Sequence, residues 1–246
     1  MTSAAVLTSA GSGTRLGLDV PKGLVELAGE TLVVRAARGL ADAACLSSVV
    51  VTVPAATLDA FTAQFPGGVV PGRAVPVRVV PGGTTRQASV AAGLAALDDD
   101  VDVVLVHDAA RCLTPPALTA AVEAAVRSGR RAVVPALPVT DTVKHVGPRG
   151  DQEPDGAEPV LATVDRGDLR AVQTPQGFDR ALLDAAHRAG AHRGAAEGSA
   201  VSDDAGLVEA LGEPVWVVPG DERALKITTP RDLAVAEVLL RERSLR

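Results

Sequence analysis

Aromatic residues are almost missing: the 246-residue chain contains three Phe, one Trp and no Tyr. Its core must therefore be filled by Val, Leu and Ala, and recognition of single-stranded nucleic acid by aromatic stacking is disfavoured. Cysteine is also scarce. Cys45 and Cys112 lie far apart in sequence with no C-x-x-C, which supports neither a disulfide scaffold nor a zinc knuckle and suits a reducing cytoplasm. Positive charge is not in excess, and the formal net charge of −6 offers no global attraction to nucleic acid or to an anionic membrane. No uninterrupted apolar run approaches the ~18 residues that a bilayer span needs. The N-terminus lacks the basic start of a secretory signal, so a cytoplasmic location is expected.

What is present is ordinary for a globular protein: 47% hydrophobic and 22% charged residues. One domain spanning 1–246 is expected. Short Val-rich runs bounded by Gly, Pro or Asp alternate with Ala/Leu-rich helical segments. This rhythm predicts an α/β fold, a Rossmann-like, mainly parallel sheet flanked by helices. Strands are expected near 4–8, 48–53, 76–80, 102–107, 131–135 and 215–218. Helices are expected over 31–42, 55–63, 86–97, 115–128, 179–189, 203–211 and 230–243. Thr114 before Pro115 and Thr229 before Pro230 read as N-caps. Residues 137–168 break the rhythm, with DTVKHV and PVLATV flanking a polar turn. They predict a projecting β-hairpin arm that buries its apolar positions against a second subunit or against its own domain.

The stretch AGSGTRLGLDVPKG, residues 10–23, follows the first strand. After Gly11 and Gly13 a dinucleotide-binding loop requires a third glycine where Leu16 stands, and a P-loop requires a spacing that Pro21, Lys22 and Gly23 do not provide. The backbone N–H groups of Gly11 to Thr14 can instead wrap a triphosphate, with Arg15 and Lys22 supplying charge. A glycine-rich turn with solvated basic residues is the competing reading. The apolar run 101–106 ends in His107, Asp108 and Arg111, at the carboxyl end of a strand where α/β sheets bind ligands. Asp108 there can hold Mg²⁺ beside phosphate oxygens, or it can cap the next turn and pair with Arg111. His107 reads as structural. PGGTTRQAS, residues 81–89, is a strand-to-helix turn whose amides and Ser89 hydroxyl can read a base edge. Lys226, before a capped helix, either points into a site or is solvated.

Together, AGSGTRLG with PKG, GGTTRQASV, LVHDAAR, PVTDTVK, TVDR with QTPQGF, SDDAGLVE and KITTPRDL closely resemble the 2-C-methyl-D-erythritol 4-phosphate cytidylyltransferases of the non-mevalonate isoprenoid pathway. The resemblance runs in order through nearly the whole chain. It implies the nucleotidyltransferase type of fold and transfer of CMP from CTP to methylerythritol phosphate, with Mg²⁺ near Asp108. It implies Arg15, Lys22 and Lys226 as catalytic residues. Cytosine and its nucleotide are expected near Ala10, Gly11, Gly13, Gly82, Gly83 and Ser89. Asp108, Arg111, Thr142, Arg166 and Thr174 are implied on the acceptor side, with the arm making a homodimer and no nucleic-acid or membrane partner. Departures stand out: Thr8 and Ser9 stand where the family usually has Pro and Ala, Thr84 replaces a different polar residue, and the arm tip GPRGDQEPDGAEP looks longer than usual. A related enzyme using another acceptor, such as ribitol 5-phosphate, and a silent nucleotide-binding module are the rival readings.

Overall fold

Each Val-rich run forms a strand of the central sheet, and each Ala/Leu-rich segment packs on it as a helix. The computed structural model describes residues 1–11, 17, 20–148, 156–191 and 203–244, with side chains to residue 242. The loop predictions for Gly13 and Arg15 therefore lie outside the described residues. Strand β1 (Thr2–Thr8) leads through a 3₁₀ turn (Lys22–Leu24) to a small hairpin, β2 (Glu26–Leu27) and β3 (Glu30–Thr31). Then come α1 (Leu32–Ala41), β4 (Ser48–Val53), α2 (Leu58–Thr62), β5 (Val77–Pro81), α3 (Arg86–Ala95) and β6 (Val101–Asp108). A 3₁₀ turn (Ala109–Arg111) precedes α4 (Pro116–Arg127) and β7 (Ala132–Pro138). The chain continues through β8 (Val143–Val146), β9 (Val160–Val164), β10 (Arg170–Val172), β11 (Gln176–Asp179), α5 (Arg180–Gly190) and α6 (Asp204–Glu209). It closes with β12 (Trp216–Pro219), a 3₁₀ turn (Glu222–Ala224) and α7 (Pro230–Ser244).

The sheet order is β10-β7-β11-β6-β1-β4-β5, with β12 pairing β7. Strands β5, β4, β1 and β6 are mutually parallel, so their carboxyl ends share one edge, where ligands of such sheets bind. Side chains alternate between the two faces. Leu7, Val51 and Leu105 join Phe61 in one core cluster, while Val6, Val50 and Val104 join Phe178 and Leu183 in the other. Aliphatic side chains supply nearly all of this packing, as the scarcity of aromatics requires, and Phe61 and Phe178 are the largest fully buried groups.

Three features depart from the sequence reading. Strands β10 and β11 run antiparallel beside β7, with β11 between β7 and β6; they are too short for an alternation signal. Thr114 does not cap α4. Pro115 is the N-cap and Pro116 opens the helix, while the Thr114 hydroxyl turns back to donate to the Arg111 carbonyl at 2.8 Å. Residues 55–63 begin as a 3₁₀ turn before the α-helix. Thr229 does cap α7: its Oγ1 accepts from Asp232 N at 3.2 Å, and Asp232 Oδ2 accepts in return from the Thr229 amide at 2.8 Å.

Within the segment read as an arm, β8 and β9 form the expected antiparallel pair, in a sheet separate from the main one. Its apolar residues are uncovered in the single chain: Val160 is 58% and Leu161 60% exposed. At the arm's base the Arg166 guanidinium donates to the Thr140 carbonyl.

Candidate active site

The carboxyl ends of β1 and β6, with the turn after β5, wall a cavity of about 300 Å³. Ala10, Gly11, Lys22, Gly83, Ser89, Asp108 and Lys226 line it, together with Ser9, Thr84 and Arg86. The sheet has thus brought together residues from four separate sequence motifs. Asp108 ends β6 and is 7% exposed. Its Oδ2 meets Lys226 Nζ at 2.7 Å, and its Oδ1 accepts from Arg86 Nε at 3.3 Å and from Thr8 Oγ1 at 3.2 Å. Burial alone would push this carboxyl up, but the nearby Arg86, Lys226 and Arg111 charges outweigh it and hold the group below the ordinary carboxylate range. Asp108 is therefore an anion at neutral pH.

Lys226 reaches Asp108 because the chain before it is pinned. Arg111 Nη1 donates to the Ala224 carbonyl at 2.6 Å and Nη2 to the Val172 carbonyl at 3.2 Å, and Ile227 N donates to the Ala110 carbonyl at 2.8 Å. Arg111 thus spends its guanidinium on backbone and makes no ion pair with Asp108. Below Asp108, the break between β10 and β11 places Thr174. Its hydroxyl accepts from Asp108 N at 3.1 Å and lies 2.8 Å from His107 Nδ1. Burial pushes the His107 imidazole down to about 4, so this ring is neutral and structural, as the sequence suggested.

On the wall that follows β5, Thr85 caps α3 by accepting from Ala88 N at 3.1 Å. The Ser89 hydroxyl lies 2.9 Å from the Thr85 carbonyl and 3.2 Å from that of Gly83; with its proton used on backbone, it can offer the cavity only acceptor lone pairs. A Cβ on Gly83 would fall 2.3 Å from the Ala88 methyl, so this turn holds its shape only with glycine. Lys22 projects from its 3₁₀ turn, whose next residue, Gly23, is buried against Ser9; a Cβ there would stand 1.9 Å from Ser9 Oγ and 2.8 Å from the Phe61 ring. Gly82, Arg111, Thr142, Arg166 and Thr174 do not line the cavity. Thr142 and Arg166 are exposed at the arm.

Sequence reasoning missed the importance of Arg86 and did not find Asp204 at all. Asp204, at the start of α6, is 1% exposed, and its Oδ2 accepts from Arg86 Nη1 at 2.7 Å. The adjacent acids of SDDA were a signal, since a helix start needs only one cap.

Among the described residues no cluster of three or more His, Cys, Asp or Glu could cage a metal. Asp108 is the one carboxylate among the described residues lining the cavity, and a Mg²⁺ that arrives on substrate phosphates and needs one or two carboxylates would share its oxygens with Lys226 and Arg86. No helix of the described residues is long and apolar enough to cross a membrane.

A family model described as IspD, 2-C-methyl-D-erythritol 4-phosphate cytidylyltransferase, matches residues 3–242. The bifunctional enzyme IspD/IspF of Clavibacter michiganensis is 52% identical over 235 residues, which cover 96% of this chain and 53% of that relative. The chain therefore spans about half the length of that relative. The 2-C-methyl-D-erythritol 4-phosphate cytidylyltransferase of Frankia casuarinae is 48% identical over 237 residues, covering 96% of this chain and 80% of its own. Among solved structures, the crystal structure of the 2-C-methyl-D-erythritol 4-phosphate cytidylyltransferase from Thermus thermophilus matches with a TM-score of 0.73 and 36% identity, over 98% of this chain and all of that one.

Proposed function

The chain belongs to the 2-C-methyl-D-erythritol 4-phosphate cytidylyltransferase family, and on that premise we propose that it joins CMP from CTP to methylerythritol phosphate and releases pyrophosphate. The observation that carries this reading is the Asp108–Lys226 pair at the floor of a glycine-walled cavity, inside a family match that runs through both residues. An acceptor phosphate is already anionic near neutral pH, so it needs no strong base to attack the α-phosphorus in line. The P–O bond to the acceptor forms as the bond to pyrophosphate breaks. The demand is for positioning and for neutralising charge on the transferring and leaving groups.

In this reading Lys22 and Lys226, two of the described cations lining the cavity, act with Arg15 from the glycine loop. Lys226 faces the α-phosphate and Lys22 the triphosphate. Ala10, Gly11, Gly13, Gly82, Gly83 and Ser89 surround the nucleotide. Asp108 would hold Mg²⁺, which neutralises phosphate charge when bound. Arg111 and Thr174 support the acceptor side from behind Asp108. Thr142 and Arg166, outside the cavity of one chain, fit an acceptor pocket completed across a homodimer. The whole chain works as one domain, and a cytoplasmic setting suits Cys45 and Cys112, which are free thiols raised by burial to about 11 and about 12.

Two measurements test this. With Mg²⁺, each of the four nucleoside triphosphates and either acceptor, pyrophosphate release and product mass should single out CTP with methylerythritol phosphate. Turnover with ribitol phosphate instead would overturn the acceptor, and silence with every pair would overturn the enzyme. In sedimentation the protein should run as a dimer, and Leu161→Asp, which puts charge on the exposed arm, should shift it towards monomer. A wild-type monomer would remove the arm from the pocket.

A further inference from the structure

Five charged or titratable side chains form one file from α5 to the cavity. Asp204 Oδ1 accepts from His187 Nε2 at 3.0 Å, and Asp204 Oδ2 accepts from Arg86 Nη1 at 2.7 Å. Arg86 Nε then donates to Asp108 Oδ1 at 3.3 Å, and Asp108 Oδ2 meets Lys226 at 2.7 Å. Asp204 and His187 do not line the cavity, and both are buried, at 1% and 7% exposure. Helix capping does not explain Asp204. Its neighbour Asp203 is the cap, accepting from Gly206 N at 3.0 Å with one oxygen and from Gln176 Nε2 at 2.8 Å with the other. A carboxylate this deeply buried is expensive unless its partners need it.

A guanidinium beside one carboxylate tends to pair fork to fork. Arg86 does not: one arm is taken by Asp204, and only Nε reaches Asp108. We infer that Asp204, fixed in turn by His187, is a positioning residue that acts through Arg86, keeping the second oxygen of Asp108 for Lys226. Without the Asp204 charge, Arg86 is free to close on both Asp108 oxygens, displacing Lys226 and leaving the cavity floor one charge more positive. This rests on the cavity being the transferase site.

The test compares wild type, Asp204→Asn, Arg86→Lys and the double variant by pyrophosphate release at varied CTP and acceptor. Asp204→Asn should lower kcat about tenfold or more, the scale seen when groups that orient metal-site ligands are lost, while KM for CTP moves far less. The double variant should be no slower than Arg86→Lys alone, because the two act as one unit. Additive losses, or an unchanged kcat, would overturn the inference. Should Asp204→Asn not fold, His187 decides: Gln, which can still donate to Asp204, should recover most of what Leu loses, and equal losses would count against the relay. A wild type silent with every nucleotide would sink the functional reading itself, an outcome distinct from these.

Discussion

Replacing Lys226 by alanine is expected to lower turnover by about 100-fold or more, the cost typical of losing one group that stabilises transition-state charge. Its ammonium stands 2.7 Å from Asp108 at the floor of the cavity, on a segment that Arg111 pins through the Ala224 carbonyl. The side chain is 43% exposed, so the fold does not depend on it, and the melting temperature should change little. Asp108 would keep Arg86 as its partner. The loss should therefore fall on kcat and not on the amount of folded protein. Pyrophosphate release measured on a variant with wild-type circular dichroism checks this, and a rate within about threefold of wild type would remove Lys226 from the chemistry.

Asp108→Asn is expected to damage both activity and stability. Activity should again fall about 100-fold or more, since Lys226 and Arg86 lose the anion that holds them in place. At neutral pH the variant should be less stable by on the order of 2–3 kcal/mol, below the roughly 3–5 kcal/mol of breaking a fully buried pair. Lys226 is partly solvated, and Arg86 retains Asp204. The pH dependence has a definite sign. Asp108 is held below its ordinary 3.8, so it binds its proton more weakly in the folded than in the unfolded chain. Its contribution is complete above about pH 4 and fades as pH falls further. The stability gap between wild type and Asp108→Asn should therefore narrow on acidification below about pH 4. Asp204, held down in the same direction after Arg86 and His187 overcome its burial, leaves the variant a residual acid slope. Urea denaturation across this range measures the gap, and a gap that widened in acid would refute the assignment.

The parallel part of the sheet was legible because its strands are short, nearly continuous apolar runs, most of them rich in Val, and the helices because their Ala/Leu segments are long. The element inserted between β6 and β7 was not. QGFD of β11 is four residues with a glycine, and Gly177 is there for tertiary reasons: a Cβ would fall 2.6 Å from Val122 and 2.9 Å from Val126 of α4. Thr114 was misread because Ser or Thr before proline looks the same whether its hydroxyl caps forward or turns back to a carbonyl. At the site, Asp108, Lys22 and Lys226 could be proposed from motifs, since each ends or follows a recognisable element. The Arg86–Asp204 pair joins residues 118 positions apart, and no local pattern encodes which of two adjacent acids faces inward. Asp203 satisfies the helix start, which leaves Asp204 for the interior.

The Ser9 hydroxyl and the missing side chain of Gly23 have a consequence for variation in this chain. The two positions are complementary in shape: whatever residue 9 adds towards the 3₁₀ turn, residue 23 must give up, with the Phe61 ring closing the third side. Residue 9 belongs to the sheet edge, whereas residue 23 is bonded to the lysine at the cavity mouth. A larger side chain at residue 9 is therefore expected to push on Gly23 and to move its neighbour Lys22 within the cavity wall.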